Sequence, residues 1–416
     1  MALFSLSLLV LAILLGFFRK MNAGLICIAF SLILGKAAGI PDKQIIAGFS
    51  YNLFLTLLGV TYLFSLAQNN GTLKLIALKV VGLAGKRTYL VPVFVFIFST
   101  VLSAIGPGCI PTMAIMMVFA MSLAAELKIH PAMLSALVVL SASGGGVSPI
   151  APTGIIGMNL SQAAGIVVTG KQFLVNGIIS TTLYAIVVYF FFGGHKIKSV
   201  DSDILSNHDN FNRNQIITMI GIAVMVVMVM FFHFNVGLAS FLIAAVLSAL
   251  GVADEADALK KVPWGTLVLV GGVSVLINLI VKLGGIKMLS AAMASVMTPS
   301  TAPSIVCMSA GILSWVSSSS GVVMPTFIPT VPGVVAEMGG AVDPVELITG
   351  LSMVAHTAGI SPMSTGGGLA LAAYTSVAQS SPEEQQKLFL TMFGVSASGL
   401  VFLSAMAYFG LFKWFI

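Results

Sequence analysis

The sequence has few charged residues, and this scarcity excludes most soluble folds. Only 8% of its 416 residues are Asp, Glu, Lys or Arg, whereas 58% are hydrophobic. Soluble domains carry roughly 25% charged residues, so this composition is that of a membrane protein. The 19 basic residues exceed the 13 acidic ones, but most lie between apolar segments. There they act as topology signals, and we expect no nucleic-acid partner.

Other absences narrow the function. The three cysteines, Cys27, Cys109 and Cys307, are far apart and have no metal-ligand spacing, so we predict core residues and no cofactor. The sequence has no HExxH pattern, nucleophile elbow or intramembrane Asp pair, and we therefore expect no enzyme. No Asp, Glu or Arg lies well inside an apolar segment. This argues against a carboxylate proton relay or a buried guanidinium that binds the substrate.

Apolar segments of membrane-spanning length are present in both halves of the chain. We predict an all-α polytopic membrane protein with ten transmembrane helices and two re-entrant hairpins. The predicted crossings are 3–18, 21–39, 48–67, 131–168, 172–193, 215–234, 236–252, 265–283, 344–378 and 388–416. The hairpins are predicted at about 88–125 and 301–337, because Gly, Pro and Ser interrupt the apolar run near the middle of each.

The two halves of the chain repeat each other. A shift of 213 positions pairs Gly59 with Gly272, Gly71 with Gly284, Pro131 with Pro344, Gly146 with Gly359, and Ser148 with Ser361. Each half then has five crossings and one hairpin. Because five is odd, the second copy must enter the membrane from the opposite side, which makes the repeats inverted. Inverted repeats are typical of secondary transporters, whose substrate site lies near the midplane between the copies.

This repeat defines the predicted domains. The first inverted repeat covers 1–193, a linker covers 194–214, and the second repeat covers 215–416. With an external N-terminus, most Lys and Arg residues fall on the cytoplasmic side, as the positive-inside rule requires. The linker is then cytoplasmic. The first hairpin opens from the cytoplasm and the second from outside.

Two segments rich in Gly, Pro, Ser and Thr interrupt predicted crossings. Residues 143–154 read SGGGVSPIAPTG, and residues 357–368 read TAGISPMSTGGG. Proline removes a backbone donor and glycine lowers the cost of unwinding, so each long helix should split into two half-helices. A half-helix N-terminus favours a carboxylate, whereas unwound carbonyls and hydroxyls suit Na+. The segments therefore predict a site for a small organic anion and a co-transported cation.

The hairpin tips form the predicted second wall of this site. Residues 103–112 read SAIGPGCIPT and residues 317–326 read SSSSGVVMPT, both small and rich in hydroxyl groups. The predicted substrate-binding residues are Ser103, Gly106, Gly108, Thr112, Ser148, Thr153, Ser318, Ser319, Thr326, Ser361 and Thr365. The candidate Na+ sites contain Ser103, Gly145, Ser148, Ser319, Gly359 and Ser361. His356 is the candidate coupling residue, because it is the titratable side chain beside the second break.

Other interpretations of the same residues stay open. Close helix packing can explain any one of these glycines, and an ordinary interior hydrogen bond can explain His356. Clusters at corresponding positions of both halves favour a ligand site. An ion channel remains an alternative function, since broken helices also build selectivity filters. An exporter or an inorganic-anion transporter on the same fold is a further alternative.

Residues 46–77, IAGFSYNLFLTLLGVTYLFSLAQNNGTLKLIA, closely resemble the N-terminal region of the bacterial malonate/dicarboxylate carrier (MatC-type) family. SGGGVSPI at 143–150 and ISPMSTGGG at 360–368 resemble the wider ion-transporter superfamily that includes the divalent-anion/sodium symporters. The resemblance implies a homodimer in the bacterial inner membrane, with a scaffold domain and a mobile transport domain that works as an elevator. It also implies cation-coupled transport of a C3–C4 dicarboxylate such as malonate or succinate.

The hairpin tips depart from the pattern of those symporters. In the symporters each tip carries a Ser-Asn-Thr motif that binds Na+ and the substrate carboxylate. Here the matching positions are Ser103-Ala104-Ile105 and the serines at 317–320, and neither tip contains Asn. We therefore expect backbone amides to bind the carboxylate in this chain.

Overall fold

The computed structural model describes residues 1–82, 87–197, 210–378 and 381–413. Within these ranges all regular structure is helical and no strand occurs. Six helices in them are long and apolar enough to cross a bilayer: 51–69, 109–127, 170–191, 264–282, 319–337 and 383–408. The predicted all-α polytopic membrane fold is thus confirmed at this level. Most of the predicted linker, at 198–209, lies outside the described residues.

The helices of the first half are α1 (Ala2–Arg19), α2 (Ala23–Ala37), α3 (Asp42–Ile46), α4 (Tyr51–Asn69), α5 (Thr72–Gly82), α6 (Val91–Ala104), α7 (Cys109–Leu127), α8 (Pro131–Gly146), α9 (Pro152–Ala163) and α10 (Gly170–Phe191). Those of the second half are α11 (Arg213–Phe232), α12 (Val236–Ala249), α13 (Glu255–Lys261), α14 (Trp264–Lys282), α15 (Gly285–Ala294), α16 (Ala302–Val316), α17 (Met324–Phe327), α18 (Val331–Glu337), α19 (Pro344–Thr357), α20 (Thr365–Ala378) and α21 (Pro382–Tyr408). A π-helical turn, Ser319–Val323, precedes α17.

Equivalent helices begin at equivalent residues. Asn22 and Asn235 precede α2 and α12, and His130 and Asp343 precede α8 and α19. Each of these side chains accepts a hydrogen bond from a backbone N–H group in the first helical turn. Such a cap stabilises a helix by about 1 kcal/mol. Residues that are equivalent in the 213-residue repeat therefore have the same local structure at these helix starts. The opposite membrane orientation of the halves and the count of ten crossings stay predictions.

Two equivalent helix pairs cross at glycines. α14 packs against α2, and α4 packs against α12. A methyl group at Gly272 would overlap the backbone of Gly24, and one at Gly59 would overlap the carbonyl of Gly237. Lipid supplies no hydrophobic driving force between helices, so close backbone approach has to provide the contact. We call α1, α2, α4, α11, α12 and α14 the glycine-paired group.

The helices that contain the breaks form a second group. α8 and α19 lie at its centre and are buried throughout 132–146 and 346–357. α6, α7 and α10 pack around α8, while α16 and α21 pack around α19. We call α6–α10 and α16–α21 the break-bearing group. Because its central helices do not contact lipid, irregular backbone at their ends is tolerated inside the membrane.

Replacement of Gly272 by alanine tests the glycine crossing. The new Cβ would lie 2.7 Å from the Cα of Gly24, and backbone on both helices prevents relief by a side-chain rotation. We expect Gly272→Ala to destabilise the protein by about 1–3 kcal/mol, as overpacking does elsewhere. The measurement is the thermal unfolding midpoint in detergent. Gly394→Ala is the control, because that exposed position on α21 has open space around it; equal midpoints for both variants would contradict the packing argument.

Candidate functional site

Two helices of the structure end inside the segments that are predicted to be broken. α8 ends at Gly146 and α9 begins at Pro152, while α19 ends at Thr357 and α20 begins at Thr365. The breaks are shorter than the 143–154 and 357–368 expected from composition. The glycines at 144–146 close α8 and those at 366–368 belong to α20, because tertiary packing keeps these glycines helical where their intrinsic propensity is low.

The two breaks have the same internal structure. The Ser148 hydroxyl accepts a hydrogen bond from the N–H of Ile150 at 3.4 Å, and the Ser361 hydroxyl accepts one from Met363 at 3.3 Å. A Cβ at Gly154 would overlap the carbonyl of Ser148. In the same way, a Cβ at Gly367, the equivalent position of α20, would overlap the carbonyl of Ser361. These serines therefore shape the turn that redirects the chain.

Each hairpin tip is bonded to the helix that precedes a break. In the first tip, Gly106 and Gly108 have φ values of 143° and 76°, which glycine adopts far more readily than other residues. The Ser103 hydroxyl donates to the carbonyl of Ala142 at 2.6 Å. In the second tip the Ser319 hydroxyl donates to the carbonyl of Ala355 at 3.0 Å. Positions 142 and 355 are equivalent in the repeat, so the two tips dock at matching places.

The two tips and the two breaks surround a cavity of about 100 Å³, which we call the central cavity. Its third wall comes from α4 and α14 of the glycine-paired group, through Thr61 and Thr266. Serines 317–320, Thr153 and Thr365 add hydroxyl groups. Among the described residues, no Asp, Glu, Lys or Arg lines this cavity. A ligand here must therefore be held by hydroxyls, backbone groups and helix ends.

The structure brings together only part of the predicted residue set. Thr153, Ser318, Ser319, Gly359, Thr365 and His356 line the central cavity. Ser103, Gly106, Gly108, Thr112, Gly145, Ser148, Thr326 and Ser361 do not. Most of the second set have structural contacts instead. Ser103 and Ser148 bond to backbone, Thr326 donates to the carbonyl of Val322, and Gly145 lies against the backbone of α6.

Four helical N-termini meet at the central cavity. They are the starts of α7, α9 and α20 and the start of the π-helical turn before α17, represented by Ile110, Thr153, Thr365 and Ser319. No side chain caps the first turn of α7 or α9, so their backbone N–H groups stay available to a ligand. Each N-terminus carries a partial positive charge of roughly half an elementary charge. The arrangement favours an anion although no Lys or Arg is among the described residues that line the cavity.

His356 lies in the wall of this cavity and is 6% exposed. Its Nδ1 atom is 2.7 Å from the carbonyl oxygen of Ser352, one turn earlier in α19. Because a carbonyl only accepts, Nδ1 must carry the hydrogen, and Nε2 is the ring atom left for a ligand. In the neutral ring Nε2 accepts a hydrogen bond, and after protonation it donates one to an anion.

Sequence reasoning missed the third wall. Thr61 and Thr266 belong to helices that carry neither a break nor a tip, and the Thr61 hydroxyl is bonded to the carbonyl of Leu57 at 2.8 Å. A partial signal was the repeat, since Gly59–Thr61 of α4 matches Gly272–Ser274 of α14. The helices that carry this match, α4 and α14, face the breaks and therefore contribute to the cavity.

A cation site would also have to use hydroxyl and carbonyl oxygens. In the described ranges no group of three or more His, Cys, Asp and Glu side chains is placed to hold a metal ion. The Thr112 hydroxyl is buried on α7 and has no hydrogen-bond partner among the described residues. The Na+ sites predicted at the tips and breaks stay predictions.

The family model for the N-terminus of the dicarboxylate carrier protein MatC matches residues 1–146. This confirms the resemblance inferred from 46–77. No curated protein matches the chain. The YdaH transporter of Alcanivorax borkumensis is similar in structure, with a TM-score of 0.61, 14% identity, and coverage of 89% of this chain and 87% of that chain. MtrF of Neisseria gonorrhoeae, an antimetabolite efflux pump by its published description, has a TM-score of 0.60, 13% identity, and coverage of 88% and 82%.

At such low identity these likenesses concern the fold. YdaH and MtrF share this chain's fold over most of their length, and the match to the carrier model covers the first 146 residues. Together they indicate a membrane transporter.

The two tip serines give a prediction about local stability. Ser103→Ala and Ser319→Ala each remove a hydroxyl that bonds a tip to the neighbouring buried helix. A net loss of about 1 kcal/mol per hydrogen bond corresponds to about fivefold faster local opening. Hydrogen–deuterium exchange should therefore accelerate at 105–108 in the first variant and at 320–323 in the second.

Ser122→Ala is the control for both variants. Its hydroxyl bonds only to the carbonyl of Val118 within α7 and faces outward, so exchange at the tips should stay unchanged. Unaltered exchange at both tips in the test variants would show that these serines do not anchor them.

Proposed function

We propose that this protein is a secondary active transporter that moves a small organic anion across the bacterial inner membrane, driven by a co-transported cation. The observation that carries the proposal is the meeting of four helical N-termini at one small cavity whose described lining residues include no Lys or Arg. Partial positive charges of this kind attract an anion. They do not hold it as strongly as a buried guanidinium would, and a carrier must release its substrate as well as bind it.

A C3–C4 dicarboxylate such as malonate or succinate is the proposed substrate. The cavity of about 100 Å³ suits a solute of a few heavy atoms. Two of the N-termini belong to the first repeat and two to the second, so each repeat contributes one pair of partial positive charges. A short molecule with a carboxylate at each end matches that arrangement. The match to the dicarboxylate carrier model over residues 1–146 supports the same class.

The proposed mechanism is an elevator with alternating access. The break-bearing group contains both tips and both breaks, and its helices pack mainly on one another. It can move as one body against the glycine-paired group, which supplies only Thr61, Thr266 and their neighbours to the cavity. Charge compensation by Na+ or H+ would accompany the anion. A homodimer that holds the glycine-paired groups together is part of this proposal.

Uptake into proteoliposomes tests the transport function. Labelled malonate, succinate, citrate and a monocarboxylate are presented under imposed Na+ or pH gradients. We expect accumulation of a C3–C4 dicarboxylate under one of the gradients, with little uptake of citrate because of its size. Unlabelled substrate on the opposite side should accelerate exchange of label, since a carrier returns loaded faster than empty, whereas a channel shows no such acceleration.

The other outcomes separate the competing functions. Flux without trans-acceleration would identify a channel. Movement of none of the organic anions under either gradient would remove the substrate assignment. Accumulation only when the gradient is reversed would indicate export by the same site.

His356→Gln tests the coupling role of the histidine. Glutamine keeps a polar group at the cavity wall but cannot be protonated. If His356 gains a proton during transport, the variant should lose the dependence of uptake on external pH at saturating Na+. Loss of one hydrogen bond to the anion should also raise the half-saturating concentration about two- to tenfold. His233→Gln, at the exposed end of α11, is the control; an unaltered pH profile in His356→Gln would leave the histidine as a packing residue.

A further inference from the structure

A second and larger cavity lies beside the central one. It has a volume of about 580 Å³ and is lined by α4, α9 and α14 and by the helical segment that contains α17 and α18. The polar residues in its wall are Ser50, Asn52, Asn159, Ser274 and Asn278. No charged side chain is among its described lining residues. We call it the asparagine chamber.

The chamber continues the central cavity along two helices. On α9, Thr153 lines the central cavity, Asn159 lines the chamber, and Ile156 lines both. Residues three to four positions apart share one helix face, and the two ends of this stretch are separated by about 9 Å along the axis. On α14, Thr266 lines the central cavity while Ser274 lines the chamber. A single side chain, Ile156, therefore stands between the two spaces on α9.

The amide groups of the chamber are poorly satisfied by the protein. The Oδ1 atom of Asn278 is buried and has no hydrogen-bond partner among the described residues. The Nδ2 atom of Asn159 donates to the carbonyl of Ile155 in its own helix, which leaves the Oδ1 atom available. An unpaired amide in an apolar environment costs several kcal/mol. The Asn159 side chain is exposed and lines the chamber, so water there can donate a hydrogen bond to its Oδ1 atom.

The equivalent region of the first repeat is closed. Asn278 corresponds to Ser65, which is 4% exposed and donates its hydroxyl to the carbonyl of Thr61 at 2.7 Å. Ile277 corresponds to Phe64, which is 1% exposed. The Phe64 ring lies so close to Gly106 of the first tip that a Cβ there would overlap it. Space is therefore open beside Asn278 of α14, whereas side chains fill the equivalent space beside Ser65 of α4.

We propose that the asparagine chamber is the water-filled passage by which the solute reaches the central cavity from one membrane face, with Ile156 as the barrier between them. The face is the one at which α9 and α14 end, predicted from the charge distribution to be external. The proposal rests on the proposed transport function and concerns the same small, hydrated anion. Uncharged amides can replace part of the anion's hydration shell. A fixed positive charge would bind the anion more strongly and slow its passage.

The test compares two repeat-equivalent cysteines, Asn278→Cys and Ser65→Cys. The three native cysteines are all buried, so the unaltered protein gives the background of labelling. A membrane-impermeant maleimide is added to right-side-out or inside-out vesicles. We expect Asn278→Cys to react from one face only, about tenfold or more faster than Ser65→Cys from that face, because thiol modification requires access. Asn159→Cys should show the same sidedness as Asn278→Cys.

Two results would overturn the passage. One is the absence of labelling above background at both asparagine positions from either face while the variants still transport substrate. The other is equal labelling of Asn278→Cys and Ser65→Cys from the same face. If sided labelling appears but no organic anion is transported, the passage stands and the substrate assignment fails. The two proposals are thus tested separately.

Ile156→Trp tests the barrier. The larger ring should fill the narrow point and reduce uptake to about a tenth or less, whereas Ile156→Val should transport normally. Labelling of Asn278→Cys combined with Ile156→Trp serves as the check that the variant folds and that its chamber is still accessible. Full uptake by Ile156→Trp with its chamber still labelled would show that Ile156 does not lie on the path.

Discussion

A backbone N–H or C=O group in lipid must find a partner inside the protein, because each one left without a partner costs several kcal/mol. Two of the described helices, α8 and α19, end inside segments that the sequence predicts to cross the membrane, and both are surrounded by other helices. α8 and α19 are buried along almost their whole length. Because these helices are buried, the backbone groups at their ends face protein and not lipid. The burial also determines that any ligand of the free helix ends must enter the protein and cannot bind at its surface.

The same constraint accounts for the chemistry of the central cavity. A charged side chain in the wall would need a permanent counter-charge in the low-dielectric interior. Helix N-termini present backbone donors that are already ordered by the helices, so little conformational entropy is lost when they bind an anion. Ser103 and Ser319 bond the tips to the helices before the breaks, and in this way hold the N-termini of both repeats around one space.

The sequence locates the ends of α8 and α19, because these interruptions depend on local chemistry, whereas the re-entrant course of the hairpins stays a prediction. Proline and glycine alter backbone preference wherever they occur, and a repeat can be read directly from spacing. Side-chain direction is different, since it depends on neighbours far apart in the chain. Ser148 and Ser361 were predicted to bind ligand, yet each accepts a bond from the backbone two residues ahead. Thr61 and Thr266 were not predicted, because they lie on helices without irregular features.

The places where the halves differ are as informative as those where they agree. Agreement is found in the caps of α2 and α12, the glycine crossings and the turns of the breaks, all of which maintain the framework. The halves differ in the C-terminal parts of α4 and α14. There Phe64 and Ser65 are the repeat equivalents of Ile277 and Asn278. A large aromatic side chain fills space that an amide leaves to water. Each repeat would line the path to one membrane face. The two repeats differ at these positions, so the paths to the two faces differ there as well.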